Sequence, residues 1–161
     1  VEKVLVEKRE ITVSPVVSGQ LLIQNARFID QFTRETVTEI ETGQTAMARW
    51  TIINDQLVSQ PTFREVLYTD PLGNTSTLTL AVTFDAFRIE ERSANPVNTN
   101  LPGLHTVTIT YFTDETRQTQ LASETITLTI TGERIFTLEE RITMLEQRIA
   151  DLEARIVALE G

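Results

Sequence analysis

Cysteine is absent from the 161 residues of this chain. A disulfide framework and a thiolate metal site are therefore both excluded. Long apolar runs are missing as well, since none approaches the ~18 residues of a membrane-spanning helix, and we expect no membrane insertion. Basic residues are too few to balance the acidic ones, and the net charge is −9. Because nucleic-acid phosphates need a basic surface, this charge argues against nucleic-acid binding.

Residues that carry catalytic or metal chemistry are equally scarce. His105 is the only histidine, and it alternates in phase with Val107 and Ile109, which is typical of a structural strand residue. Asp114 and Ser123 follow it, but a catalytic triad needs a geometry that sequence spacing does not supply. The loop carboxylates lack Asp-x-Asp-x-Asp calcium spacing, and we interpret them as solvated turn residues: Asp55, Asp70, Asp85 and Asp114. We therefore expect no catalytic, metal or cofactor site and a protein that is not an enzyme.

The N-terminal stretch, residues 1–15, is charged and has a loose alternation of apolar side chains. The alternating residues are Val4, Val6, Ile11 and Val13. This pattern predicts an extended arm or edge strand that ends at Ser14-Pro15. A short helix is the alternative, although β-branched residues disfavour it. We expect either an arm that docks on a neighbouring molecule or an ordinary first strand.

Residues 16–132 have the pattern of β-structure. Apolar and polar residues alternate in several short runs, as they do in half-buried strands. The runs lie at 21–30, 46–52, 63–69, 78–84, 105–111 and 126–130, with a further candidate at 87–91. Asp70-Pro71-Leu72-Gly73, between two of these runs, has type I turn chemistry and predicts a hairpin. A long polar loop is predicted from Ser93 to Gly103.

Seven or so such strands predict an immunoglobulin-like antiparallel β-sandwich, so the expected fold class is mainly β. Thr alternates with apolar residues along the last two strands, and its branched polar side chain suits an exposed pleat. Trp50 is the natural plug for the core. An odd number of strands places the two ends of the sandwich at opposite poles. We therefore expect the N-terminal arm at the pole furthest from the C-terminal segment, unless the arm folds back.

Three segments carry a resemblance to a known family. GQTAMARWTIIND has Gly-Gln before the Trp strand, VLYTDPLGNTSTLTL contains an Asp-x-x-Gly hairpin, and LPGLHTVTITYF leads from Pro-Gly into a late strand. Over residues 20–132 this order resembles the Ig-like domains of the CARDB type, which recur in archaeal and bacterial cell-surface proteins and in some virion proteins. The resemblance implies a modular spacer or adhesive unit without catalysis, and it implies no site residues.

The C-terminal segment repeats the pattern Arg-Ile-x-x-Leu-Glu four times between Arg134 and Glu160. A 3.5-residue apolar period with flanking opposite charges is what a left-handed coiled coil requires. The heptads place Ile135, Ile142, Ile149 and Ile156 at a, Leu138, Leu145, Leu152 and Leu159 at d, Arg134, Arg141, Arg148 and Arg155 at g, and Glu139, Glu146, Glu153 and Glu160 at e. A solitary helix would expose this stripe to solvent. We therefore predict a parallel coiled coil over residues 133–161, through which the chain associates with itself.

The charged flanks bear on the number of helices in this coil. Ile at a with Leu at d favours parallel dimers, and no buried Asn enforces two strands. However, Arg-h-x-x-h-Glu, where h is an apolar residue, resembles the trimerisation signature of short coiled coils, in which Arg at g reaches Glu at e of the next chain. Four tandem copies of it favour a parallel homotrimer, with a dimer as the alternative.

A sandwich on a trimeric coil, without site chemistry, is typical of a structural assembly protein. We expect a virion component first, such as a capsid-decorating or fibre protein of a prokaryotic virus that attaches to a capsid protein through its arm. The alternative is a subunit of an extracellular filament, sheath or adhesin at the cell surface, whose arm completes a neighbouring filament subunit's sheet. A carbohydrate-binding module comes third, because aromatic residues make up only 6% of the chain.

Overall fold

Two β-sheets and one helix make up the protein in a computed structural model that describes residues 21–160, apart from the side chain of Glu160. The elements are β1 (Leu21–Asp30), β2 (Thr36–Val37), β3 (Glu39–Glu41), β4 (Ala46–Asn54), β5 (Gln60–Thr69), β6 (Thr75–Phe84), β7 (Ile89–Pro96), β8 (Gly103–Phe112), β9 (Gln120–Thr131) and α1 (Leu138–Glu160). The prediction of a mainly β fold, a sandwich followed by a C-terminal helix, is confirmed. The predicted arm, residues 1–15, lies outside the described residues, with Val4, Val6, Ile11 and Val13.

The first sheet has the strand order β2-β1-β4-β7, and the second has the order β3-β9-β8-β5-β6. Among these strands the pairing is antiparallel, except that β3 runs parallel to β9. β2 and β3 are neighbours in sequence but lie in different sheets, so the chain crosses between the layers there. Sequence analysis missed both strands because two or three residues are too few to show an alternation.

The core lies between the two sheets and is centred on aromatic side chains. Along β4 every second residue is buried, because successive side chains of a strand point to opposite faces. Trp50 is fully buried, as the sequence predicts for a core plug, and its Nε1–H donates to the Tyr111 hydroxyl at 3.0 Å. Phe84 packs edge-on against Tyr111, with 5.6 Å between ring centroids. These contacts join residues from three strands of both sheets.

The two ends of the sandwich lie at opposite poles, as predicted. Leu21, the first residue of β1, pairs with Asn54 at the end of β4. At the other end of β4, Val97 N donates to Ala46 O at 2.9 Å. Val97 belongs to the loop between β7 and β8. Asn100 O of the same loop accepts a hydrogen bond from Ile135 N, which lies between β9 and the helix. The chain therefore enters the sandwich at the pole opposite the helix.

The loop between β5 and β6 agrees with the prediction, whereas the loop after β7 is shorter than predicted. Between β5 and β6, Gly73 N donates to Asp70 O at 3.0 Å with a Gly73 φ of 84°, so the predicted hairpin turn is present. The predicted polar loop, residues 93–103, is too long, since β7 continues to Pro96 and pairs with β4. β7 is an edge strand, and edge strands tolerate polar side chains and a terminal proline.

The helix begins later than the repeat predicts. The repeat predicts helix from Arg134, whereas α1 begins at Leu138. Glu140 N donates to Thr137 Oγ1 at 3.2 Å, and Thr137 N donates to the Glu140 carboxylate at 2.8 Å. This reciprocal pair is a capping box, which makes Thr137 the N-cap. The predicted helix start is therefore wrong, because the Thr-x-x-Glu pair inside the repeat sets the first turn.

Candidate assembly interface

The helix stands apart from the sandwich and is exposed along its length. Every residue from Arg141 to Leu159 is exposed to solvent. The helix has 23 residues, which corresponds to a length of about 35 Å. A helix normally buries an apolar face against its own domain. Here nothing in the described part of the chain covers that face.

The predicted a and d residues that lie on α1 form one exposed apolar stripe. They recur every three or four residues, so they share one face of the helix. We call this stripe the seam; its residues are Leu138, Ile142, Leu145, Ile149, Leu152, Ile156 and Leu159. Their exposed fractions range from 46% at Ile142 to 87% at Leu159. A continuous exposed apolar stripe of this length is unusual on the surface of a single chain in water.

Opposite charges flank the seam. Arg141, Arg148 and Arg155 occupy the predicted g positions, and none of them forms an ion pair with a described carboxylate of its own chain. The predicted e positions on α1 are Glu139, Glu146, Glu153 and Glu160, and the Glu160 side chain lies outside the described residues. The guanidinium groups at g are therefore available to carboxylates of another chain.

The first copy of the repeat begins before the helix, in the segment Arg134–Thr137, which we call the neck. Arg134, predicted at g, pairs with Glu140 of its own chain and lies over the Phe136 ring at 4.9 Å. Ile135, predicted at a, donates from its N to Asn100 O at 2.8 Å. These two residues contact their own chain, and their predicted part in the oligomer interface remains a prediction.

The neck and the first turns of α1 enclose a concave surface of about 480 Å³, which we call the neck groove. It is lined by Ile135, Phe136, Arg141, Met144, Leu145 and Arg148. Phe136 and Met144 occupy b and c positions of the predicted heptads, which in a simple coiled coil face solvent. Sequence analysis missed the groove. The signal that could have indicated it is the Thr-x-x-Glu pair, Thr137 and Glu140, which starts the helix after Ile135 and Phe136.

His105 occupies a structural position inside the sandwich, as its alternation predicted. It is fully buried on β8, its Nε2 lies 2.7 Å from Leu101 O, and its Nδ1 contacts the Tyr68 hydroxyl. Burial raises the pKa of Tyr68 to about 12, so this phenol stays protonated. Ser123 bonds Thr110, and Asp114 accepts hydrogen bonds from Thr116, so neither residue contacts His105.

A second concave surface of about 350 Å³ lies between β5, β6 and the end of β7 with its following loop. Its lining includes Tyr68, Leu78, Val97 and Asn98. Leu78 and its neighbour Leu80 lie on the inward face of β6, opposite buried residues of β5, yet both remain exposed. The first sheet ends at β7 and leaves this part of β6 uncovered.

The carboxylates of two turns hold backbone groups. Asp70 accepts from the Asn74 side chain at 2.8 Å and from Asn74 N and Leu72 N, both at 2.9 Å, and these hydrogen bonds lower the pKa of the Asp70 carboxyl. Asp114 accepts from Thr116 in the same way, and its pKa is also lowered.

Within residues 21–160 no cluster of three or more metal-ligand side chains is present. Among the described residues, no helix is both long enough and apolar enough to cross a membrane.

No known protein family matches the sequence, and no curated protein is detectably similar to it. Solved structures do match the sandwich. The C-terminal domain of Wzt is 10% identical over 73% of this chain and 78% of that domain, with a TM-score of 0.55. Two enzymes match with a TM-score of 0.48. They are an alkylpurine DNA glycosylase, AlkC of Pseudomonas fluorescens, at 12% identity, and a β-glucuronidase of Bacteroides uniformis, at 16% identity. The matches cover 71% and 65% of this chain but only 31% and 13% of those enzymes. At 10% identity the similarity to the Wzt domain shows the fold alone.

Proposed function

We propose that the protein is a non-enzymatic assembly protein that forms a parallel homotrimer through α1. The observation that carries this proposal is the exposed seam on a helix that its own sandwich does not cover. Burying one seam side chain fully is worth about 1.5–3 kcal/mol. Exposed ion pairs add only ~0–1 kcal/mol each, so the seam supplies most of the affinity.

Three chains are favoured over two by the arginines and glutamates beside the seam. The Arg-h-x-x-h-Glu signature occurs three times on α1, beginning at Arg141, Arg148 and Arg155. Each arginine is free to reach a glutamate of the next chain, and its planar fork suits a bidentate contact. A parallel dimer remains the alternative, since Ile at a with Leu at d also suits two strands.

The proposed setting is a virion of a prokaryotic virus, where the trimer decorates the capsid or forms a fibre. Threefold symmetry suits capsid positions, and Leu21, the first described residue, lies at the pole of the sandwich away from the helix. In this setting the arm, with Val4 and Ile11 among its apolar residues, would attach to a capsid protein. The proposed Ig-like, CARDB-type character of the sandwich is compatible with a spacer of this kind.

The alternative setting is the cell surface, in a filament, sheath or adhesin. The resemblance to surface domains favours it, and there the arm would add a strand to the sheet of a neighbouring filament subunit. The cleft beside Tyr68 gives the third candidate, a carbohydrate-binding module, a place for a ligand. It has the least support, because the cleft holds only one aromatic side chain.

Immunogold electron microscopy separates these settings. Antibodies against the purified chain are applied to virus particles and to cells of the source organism. We expect label on the particles; label on the cell surface alone would favour the alternative, and label confined to the cell interior would contradict both. Deletion of residues 1–13 is expected to leave the trimer intact and to abolish attachment to the particle. If attachment survives that deletion, the docking role of the arm is wrong.

A further inference from the structure

The neck groove contains two apolar side chains that the seam does not need. Phe136 and Met144 keep 39% and 55% of their surface exposed, at heptad positions that a simple coiled coil gives to solvent. Polar residues are usual at such positions, because exposing an apolar side chain to water is unfavourable. Leu145 of the seam lines the same groove, so the exposed apolar surface continues from the seam onto the neck.

The shape of the neck groove is fixed by contacts within the chain. The capping box between Thr137 and Glu140 sets the direction in which the neck enters the helix. The Arg134 guanidinium lies over the Phe136 ring and pairs with the same glutamate, Glu140. The other end of the neck is tied to the sandwich by the bond from Ile135 to the loop before β8. A preformed surface loses little conformational entropy when a partner binds.

The charges around the neck groove indicate what occupies it. Arg141 and Arg148 line it and have no carboxylate partner among the described residues of their own chain. In a parallel, in-register assembly the next chain presents its e-position carboxylates, Glu146 and Glu153, to Arg141 and Arg148. An antiparallel neighbour would place arginine opposite arginine. Charge complementarity therefore selects a parallel second copy of this chain.

We propose that the neck groove receives the first turns of a second copy's helix, so that the assembly interface extends from the seam onto the neck. This inference rests on the proposed self-association. Each neck then holds its own sandwich on one side, through Ile135, and the neighbouring helix on the other. The groove thus orients the sandwich relative to the threefold axis, which a flexible linker could not do.

The test compares groove variants with a matched control on the same helix. Phe136→Ser and Met144→Gln each remove one apolar side chain from the groove. Val157→Gln removes an apolar residue that is 69% exposed, lies outside the groove and does not belong to the seam. Met and Gln have similar helix propensities, so Met144→Gln changes the groove without weakening the helix.

Sedimentation equilibrium of the full chain across a concentration series gives the outcome. We expect each groove variant to raise the concentration at which half of the chains are assembled by about tenfold, and the control to change it less than about twofold. If the groove variants assemble as tightly as the wild type, the groove is not an interface and the inference fails. If the wild type is itself a monomer, the proposed function fails. Should Phe136→Ser not fold, which Trp50 fluorescence reports, Met144→Gln alone decides.

Discussion

Replacing one seam residue tests the energetics of the proposed assembly. Ile149 lies in the middle of α1, away from both helix ends, and 55% of its surface is exposed in the single chain. Ile149→Ala keeps the helix, because alanine has a higher helix propensity than isoleucine. Any loss of assembly therefore comes from the seam and not from the helix itself.

The size of this loss follows from the exposed area. Full burial of an isoleucine side chain is worth about 1.5–3 kcal/mol, and roughly half of that remains to be gained on association, about 1 kcal/mol per chain. Three chains lose about 3 kcal/mol together, so the assembly constant is expected to fall by ~100-fold. The cavity left in the seam can only increase this loss.

Sedimentation equilibrium at several concentrations measures the assembly constant of Ile149→Ala beside that of Val157→Ala. Val157 is also apolar and exposed, but it occupies a b position outside the seam. We expect the Val157 variant to match the wild type. Equal losses in the two variants, or no loss at Ile149, would refute the assignment of the seam.

Two further predictions concern the sandwich. Tyr111→Phe leaves the buried Nε1–H of Trp50 without its acceptor, so we expect urea denaturation to show a loss of about 1–3 kcal/mol in the free energy of unfolding. Gly103→Ala is expected to destabilise the chain more than Gly73→Ala. A Cβ at Gly103 would lie 2.7 Å from a side-chain carbon of Pro71, whereas at Gly73 it meets open space and the cost is only that of a positive φ. Equal melting temperatures for the two glycine variants would contradict this reasoning.

Much of the sandwich could be predicted because apolar and polar residues alternate along its longer strands. Trp50 and His105 share the alternating pattern of their strands, and both are buried where the pattern places them. The crossing from β2 to β3 could not be predicted, since a few residues carry no periodic signal. The end of β7 was missed for another reason: an edge strand at the rim of a sandwich tolerates the polar residues that elsewhere indicate a loop.

The seam could also be predicted, because a strict heptad repeat is a strong signal, but the neck could not be predicted from the repeat alone. The repeat places Ile135 on the helix, whereas a hydrogen bond to the sandwich holds it outside. The capping pair Thr137 and Glu140 carried the missing information. A local capping signal therefore overrides a periodic one at the point where the helix begins.

The mass of the assembled particle tests the central claim most directly. The seam and its charged flanks predict that the intact chain, 18.2 kDa as a monomer, sediments at micromolar concentration as a particle of three chains. A mass of two chains would retain the seam as the interface and contradict the threefold assignment. A monomer mass at that concentration would contradict self-association through α1 altogether.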